Sequence, residues 1–139
     1  MNIDSIQNGF VIDHITAGKA MDLYRLLELD KLDCTVALIK NATSNKMGRK
    51  DIIKIDTQME LNTDIVGYIS PDATICSIRN GVLVEKKKLN PPDELEGVLT
   101  CHNPRCISST EQELPHKFRC VDPRAGRYRC IYCEAEKHR

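Results

Sequence analysis

The sequence predicts an α+β chain in two parts: a ferredoxin-like N-terminal domain, then a small β-rich domain of zinc-ribbon (rubredoxin-like) type. Three observations predict it. Strand-like and helix-like segments alternate over residues 1–88. A proline-rich acidic stretch, Leu89-Asn-Pro-Pro-Asp-Glu-Leu-Glu-Gly97, then breaks the alternation. Two close cysteine pairs follow, Cys101-x4-Cys106 and Cys130-x2-Cys133.

The first element, Phe10-Val-Ile-Asp-His-Ile15, has strand composition. Ala20, Leu23, Tyr24 and Leu27 fall at i, i+3, i+4 and i+7, the stripe of an amphipathic helix, with Thr16 as its expected cap. Thr35-Val-Ala-Leu-Ile39 is β-branched and aliphatic, hence a strand. Residues 41–49 are polar, with Gly48 as a breaker, and Ile52-Ile-Lys-Ile55 is a second short strand. Glu60 to Tyr68 reads as a short helix starting near Asn62 or Thr63. Ser70-Pro-Asp is a turn, after which Thr74–Ile78 and Val82–Val84 flank Arg79-Asn-Gly81. Asn-Gly between β-rich runs is a strong hairpin signal. The order β-α-β-β-α-β-β is close to the split βαβ pattern. Helices on one face leave the other sheet face to be covered, and a like subunit is the expected cover.

Tandem prolines at 91 and 92 block helix and central strand, so residues 89–97 read as a connector between domains 1–88 and 98–139. About 40 residues rarely support a core alone, so a bound ion would supply much of that part's folding energy. Two cysteine knuckles separated by a loop of 23 residues can each present two thiolates to one tetrahedral ion. Zinc fits this donor set, as does iron in a rubredoxin-like site. The competing readings are two disulfides or free core thiols. Seven cysteines, an odd number, and the lack of a secretory signal disfavour disulfides. Four thiolates leave no open position, so one ion per chain would be structural. Cys120, His102 and His116 are lesser ligand candidates, because they break the pairing; Cys34 and Cys76 read as small hydrophobes or free thiols.

Lys+Arg and Asp+Glu number 20 each, tryptophan is absent, and no apolar run reaches the ~20 residues of a bilayer span. A soluble cytoplasmic chain is expected, with no membrane and no nucleic-acid partner, since free-standing nucleic-acid modules are basic over their contact face. Residues 89–139 hold eight basic and eight acidic side chains. A zinc-ribbon nucleic-acid or transcription-associated protein is the alternative, for which the Arg124, Arg127 and Arg129 cluster is the sole basic feature.

No catalytic constellation stands out: no P-loop and no glycine-rich dinucleotide fingerprint occur. Asp13-His14 is an adjacent acid and base on a strand, where neighbours point to opposite faces unless a bulge intervenes. Lys50 and Lys54 lie four apart, on the same side of a strand and roughly 13 Å apart. With Lys86 they suit a polyphosphate, or they are ordinary solvated charge.

Taken together, Gly9-Phe-Val-Ile-Asp-His-Ile15, Met47-Gly-Arg-Lys-Asp-Ile-Ile-Lys-Ile55, Pro71-Asp-Ala-Thr74, Asn103-Pro-Arg-Cys-Ile-Ser108 and Cys130-Ile-Tyr-Cys-Glu134 resemble the regulatory chain of aspartate carbamoyltransferase. The resemblance covers nearly the whole chain in order. It implies a non-catalytic subunit of pyrimidine biosynthesis, with an allosteric nucleotide domain and a zinc domain docking the catalytic chain. It implies CTP and ATP, often with UTP, as competing effectors, and regulatory-chain homodimers formed through the N-terminal domains. By the same resemblance, Asp13 and His14 lie by base and ribose, Lys50 and Lys54 by the nucleotide, with Lys54 near the ribose, and Lys86 on phosphate. Ile6, Val11, Ile78 and Leu83 match apolar or backbone positions around base and sugar.

Overall fold

The computed structural model describes residues 6–139. The chain divides into two compact units, residues 1–90 and 91–139. In the first unit β1 (Gly9–Thr16), β2 (Val36–Ser44), β3 (Gly48–Ile55), β4 (Thr74–Arg79) and β5 (Val82–Lys88) form one sheet in the order β2-β3-β1-β4-β5. All its pairings are antiparallel. Helices α1 (Ala20–Leu26) and α2 (Thr63–Ile69) connect strands, and a 3-10 turn, Leu29–Lys31, follows α1. The first four strands have the ferredoxin-like order, and the Asn80-Gly81 turn adds β5 as a hairpin. Both turn residues have positive φ, 52° and 75°, as a two-residue turn matching strand twist requires.

Alternation sets the core. On β3, Asp51, Ile53 and Ile55 are buried, while Lys50, Ile52 and Lys54 point the other way. Ile12 and Ile15 of β1 join the buried face, opposite Ile53 and Asp51. Leu23 of α1, Val66 of α2 and Ile75 of β4 complete this layer. Gly9 is obligatory for closeness: a Cβ there would collide with the Ile55 carbonyl oxygen.

Two bulges interrupt the pattern. Asp13 and His14 together face the single residue Ile52, and Lys40 and Asn41 together face Asp51. His14 (φ 57°) and Asn41 (φ 61°) sit in the left-handed region, which His and Asn tolerate better than most side chains. The β1 bulge explains how Ile12 and Ile15, three apart, share one face.

Asp51 replaces the expected Thr16 cap. Thr16 ends β1, and its carbonyl accepts the Lys19 amide at 3.0 Å, while its hydroxyl meets Ser70 Oγ at 3.2 Å. Lys19, at the helix N-cap, makes no side-chain cap bond. The fully buried Asp51 carboxylate instead accepts the Gly18 amide (3.0 Å) and the Ala20 amide (3.1 Å) on Oδ2, and the Asn41 amide (2.8 Å) on Oδ1. Charge-assisted bonds of ~1.5–3 kcal/mol each offset the cost of burying the charge. A cap 31 residues from its helix leaves no local signal. For α2 the expected start holds: Asn62 Oδ1 accepts the Asp64 and Ile65 amides.

Strands also run further than their β-branched runs suggest. β2 continues to Ser44 and β3 begins at Gly48, because paired ladders carry Ala42-Thr43-Ser44 along with them.

Little of 89–97 remains as connector. Leu89 is buried and donates its N–H to the Ala73 carbonyl in the first unit. Asp93 accepts the Cys120 amide, and Glu94–Glu96 form strand β6 in the second. There β6, β7 (Lys117–Asp122), β8 (Arg127–Cys130) and β9 (Glu136–His138) make an antiparallel sheet in chain order, with one helical turn, α3 (Ile107–Thr110). Its core is Leu95, Phe118 and Tyr128 beside Cys101, Cys106 and Cys130. The Tyr128 hydroxyl donates to the Pro92 carbonyl at 2.7 Å, fastening the start of this unit.

Candidate functional site

Two constellations emerge. The first lies on the sheet face away from the helices. Directly opposed residues on antiparallel strands share a face. Lys54 opposes Val11, Val11 opposes Cys76, and Cys76 opposes Lys86, so the four form one row across β3, β1, β4 and β5. At ~4.8 Å per strand the two lysine backbones stand about 14 Å apart. A second row holds Asp13, Thr74 and Lys88. A third pairs Ile78 with Leu83, across a bulge at Val84. The open face is therefore a lysine-bordered floor.

The β1 bulge brings Asp13 and His14 to the same neighbourhood. Asp13 opposes Thr74, and His14 Nδ1 is 3.4 Å from Thr74 Oγ1. The His14 amide donates to Asp13 Oδ1 at 2.6 Å. Lys50 Nζ is 2.9 Å from the same oxygen. Partial burial pushes the Asp13 carboxyl up, but the Lys50 ammonium and the His14 amide outweigh it and hold the pKa below the ordinary 3.8. Lys50 is thus committed to Asp13. Among the described residues no ion pair engages Lys54, Lys86 or Lys88. Burial raises the Cys76 thiol pKa, against the pull of Lys86, so Cys76 is a neutral element of the floor.

Ile6 is buried, and its neighbours Gln7 and Asn8 bond the hairpin turn through Gly81 N–H to Gln7 O and Asn80 N–H to Asn8 Oδ1. Leu83, opposite Ile78, belongs to the hairpin end of this face, while Val11 lies at its centre. Thr74 and Lys88 also join this face. Lys86 and Lys88, two apart on a strand, share a side.

The second constellation is the cysteine cluster. The sulfurs of Cys101, Cys106, Cys130 and Cys133 all lie within 4.8 Å of one another. Cys101 and Cys133 are 3.6 Å apart, and Cys106 and Cys130 3.7 Å. Four sulfurs held at ~2.3 Å from one ion stand about 3.8 Å apart at tetrahedral corners. Disulfide sulfurs stand ~2.05 Å apart. The spacing fits a shared ion. Turn bonds shape both knuckles: Cys106 N–H to Asn103 O, and Glu134 N–H to Cys130 O, with Glu134 at φ 65°. Burial, with neighbouring thiols adding to it, drives the Cys101 thiol up to about 12. The Ser108 hydroxyl, 3.0 Å from Cys106 Sγ, holds that thiol down at about 6 against its burial. A bound cation would offset the mutual repulsion of four thiolates held this close. Cys120 and His102 lie outside the cluster, and His116 Nδ1 accepts the Cys101 amide at 3.2 Å.

Known proteins match both units. The family description "Aspartate carbamoyltransferase regulatory chain, allosteric domain" fits residues 1–90, and "metal binding domain" of the same chain fits residues 93–139. The regulatory chain of Clostridium botulinum (strain Hall) is 48% identical over 134 residues, 96% of this chain and 92% of the relative. That of Clostridium acetobutylicum is 42% identical over the same shares, and that of Bifidobacterium longum 40% identical over 98% of each. The chain belongs to the aspartate carbamoyltransferase regulatory-chain family.

Aspartate carbamoyltransferase regulatory chains are the regulatory subunit of their enzyme, not the catalytic one, and associate with a catalytic chain. The lysine-bordered face lies in the allosteric domain and the cysteine cluster in the metal-binding domain. Neither family match supports the nucleic-acid zinc-ribbon alternative. No helix among the described residues is long and apolar enough to cross a membrane.

Proposed function

We propose that the lysine-bordered face binds CTP and ATP in competition, and that occupancy modulates carbamoyl transfer by the catalytic chain. The observation that carries this reading is the row Lys54–Val11–Cys76–Lys86. Its two cations stand at opposite ends of a partly apolar floor, a match for a nucleotide with base and sugar between. Lys54 serves the ribose side and Lys86 the phosphates. Asp13 and His14 face base and ribose, with Lys50 holding Asp13 ionised. Ile6, Val11, Ile78 and Leu83 line base and sugar. Lys88, two residues from Lys86, adds a cation for the outer phosphates.

The four cysteines hold one structural zinc. The donor set and sulfur spacing support zinc, whose role is to stiffen the surface that meets the catalytic chain. The regulatory chains pair through their allosteric domains, and the chain works in the cytoplasm without a nucleic-acid partner. Regulation is then linkage: a nucleotide shifts two quaternary states only as far as it binds them differently. A coupling of ~1–3 kcal/mol changes substrate response roughly 5- to 150-fold.

The test is co-purification with a catalytic chain, then aspartate saturation with and without CTP. A nucleotide-dependent shift of the curve is expected. Identical curves at saturating CTP and ATP would overturn the reading.

A further inference from the structure

We propose that Asp51 is a positioning residue of the effector site: its clamped carboxylate fixes the two strand bulges that set the Asp13–Lys50 pair on the opposite face. The inference rests on the effector reading above. Asp51 follows Lys50 on β3, so their side chains leave the sheet on opposite sides. On the buried side three amides hold the Asp51 carboxylate, from Gly18, Ala20 and Asn41. On the open side Lys50 holds Asp13 at 2.9 Å. One peptide unit therefore ties the nucleotide face to the helix layer.

The bulges make this tie consequential. Asp51 opposes Ile15 in the register that the β1 bulge creates. It is also the residue faced by the β2 bulge, whose Asn41 amide it accepts. Each bulge contains a residue at positive φ, His14 or Asn41, a conformation that persists only where the surroundings over-determine it. Asp51 is that over-determination for β2. For β1 it anchors the turn that follows, through Gly18 and Ala20. Among the described residues no lysine or arginine pairs with it, so its buried charge depends on these amides alone. Movement of Lys50 or Asp13 on nucleotide binding must then be felt at Gly18, Ala20 and Asn41.

Asp51→Asn tests this. The carboxamide keeps the shape, but it turns a donor toward either the Asn41 amide or the Gly18–Ala20 pair. In the full-length chain, calorimetry should show CTP affinity reduced on the order of tenfold, with the sheet intact by circular dichroism. Ser70→Ala is the control. It removes the bond from the Thr16 amide at the same strand end, and should lower Tm without changing affinity. In the wild-type chain, CTP should slow hydrogen exchange at the Gly18, Ala20 and Asn41 amides. That measurement decides the matter alone where the Asn variant does not fold. Unchanged CTP affinity in folded Asp51→Asn, or unchanged exchange in the wild type with CTP bound, overturns the inference and leaves the effector reading standing. A wild-type chain that binds neither CTP nor ATP overturns both.

Discussion

Lys54 and Lys86 stand on strands with two others between them, yet Val11 and Cys76 bring them into a single row across the sheet. Neither cation has a carboxylate partner among the described residues, whereas Lys50 is taken by Asp13. This contrast separates lysines available to a ligand from one that shapes the site.

Replacing either end of the row should weaken CTP binding without unfolding the chain. A charge-assisted bond contributes ~1.5–3 kcal/mol, so Lys54→Ala and Lys86→Ala should each lower affinity by about ten- to a hundredfold. Lys88→Ala should lower CTP affinity more than CMP affinity, since it stands beyond Lys86. Isothermal calorimetry with thermal melts checks all three. Unchanged affinity in both Lys54→Ala and Lys86→Ala removes the nucleotide from this face.

Acid should act through Asp13. Its folded pKa lies below the ordinary value, so its stabilising contribution is fully present above about pH 4 and is lost as pH falls through the folded pKa. Lys50→Met removes the principal stabiliser of the ionised form. The Asp13 titration, followed by carboxyl carbon NMR, should move to higher pH in that variant. An unmoved titration would mean that Lys50 does not pair with Asp13 in solution.

Metal removal should be selective. A structural tetrathiolate zinc contributes an apparent ~10–16 kcal/mol, more than a 49-residue unit can replace from Leu95, Phe118 and Tyr128. A thiol-specific mercurial should release about one equivalent of zinc, unfold residues 91–139 and abolish binding to the catalytic chain. Elemental analysis and a sizing column read the two effects. Cys133→Ser should reproduce the loss and Cys120→Ser should not, because Cys120 lies outside the sulfur cluster.

A cap measures local energetics. Asn62 accepts two amides at the start of α2, and Asn62→Ala should cost about 1 kcal/mol in urea unfolding. The same experiment on Thr16→Ala tests a side chain that pairs with Ser70 rather than capping α1.

What the sequence disclosed, and what it hid, follows from the range of the interactions. The hairpin at Asn80-Gly81, the Asn62 start of α2 and the two cysteine knuckles rest on neighbouring residues, and spacing alone exposes them. Asp13 and His14 can work together only through a bulge in β1, and that bulge depends on how β1 sits against β3 and β4. The Asp51 clamp joins residues 10, 31 and 33 positions away, and no periodicity announces it. Spacing groups Lys50 with Lys54 as a cation for a ligand, because its carboxylate partner lies 37 positions earlier in the chain. The strand β6 hid in a proline-rich stretch because three residues carry no alternation to detect.

The hairpin that ends the first sheet has a consequence for how this chain can vary. On β4, Cys76 and Ile78 look toward the lysine row, while Ile75 and Ser77 look toward the helices. Sliding β4 by a single position would exchange those sets and carry the recognition surface into the interior. Pairing with β1 holds the phase of β4 on one side, and the Asn80-Gly81 corner with the extra residue Val84 sets that of β5 on the other. Insertions or deletions at that corner, though it is solvent-exposed, should shift β5 against β4 and carry Lys86 out of the row.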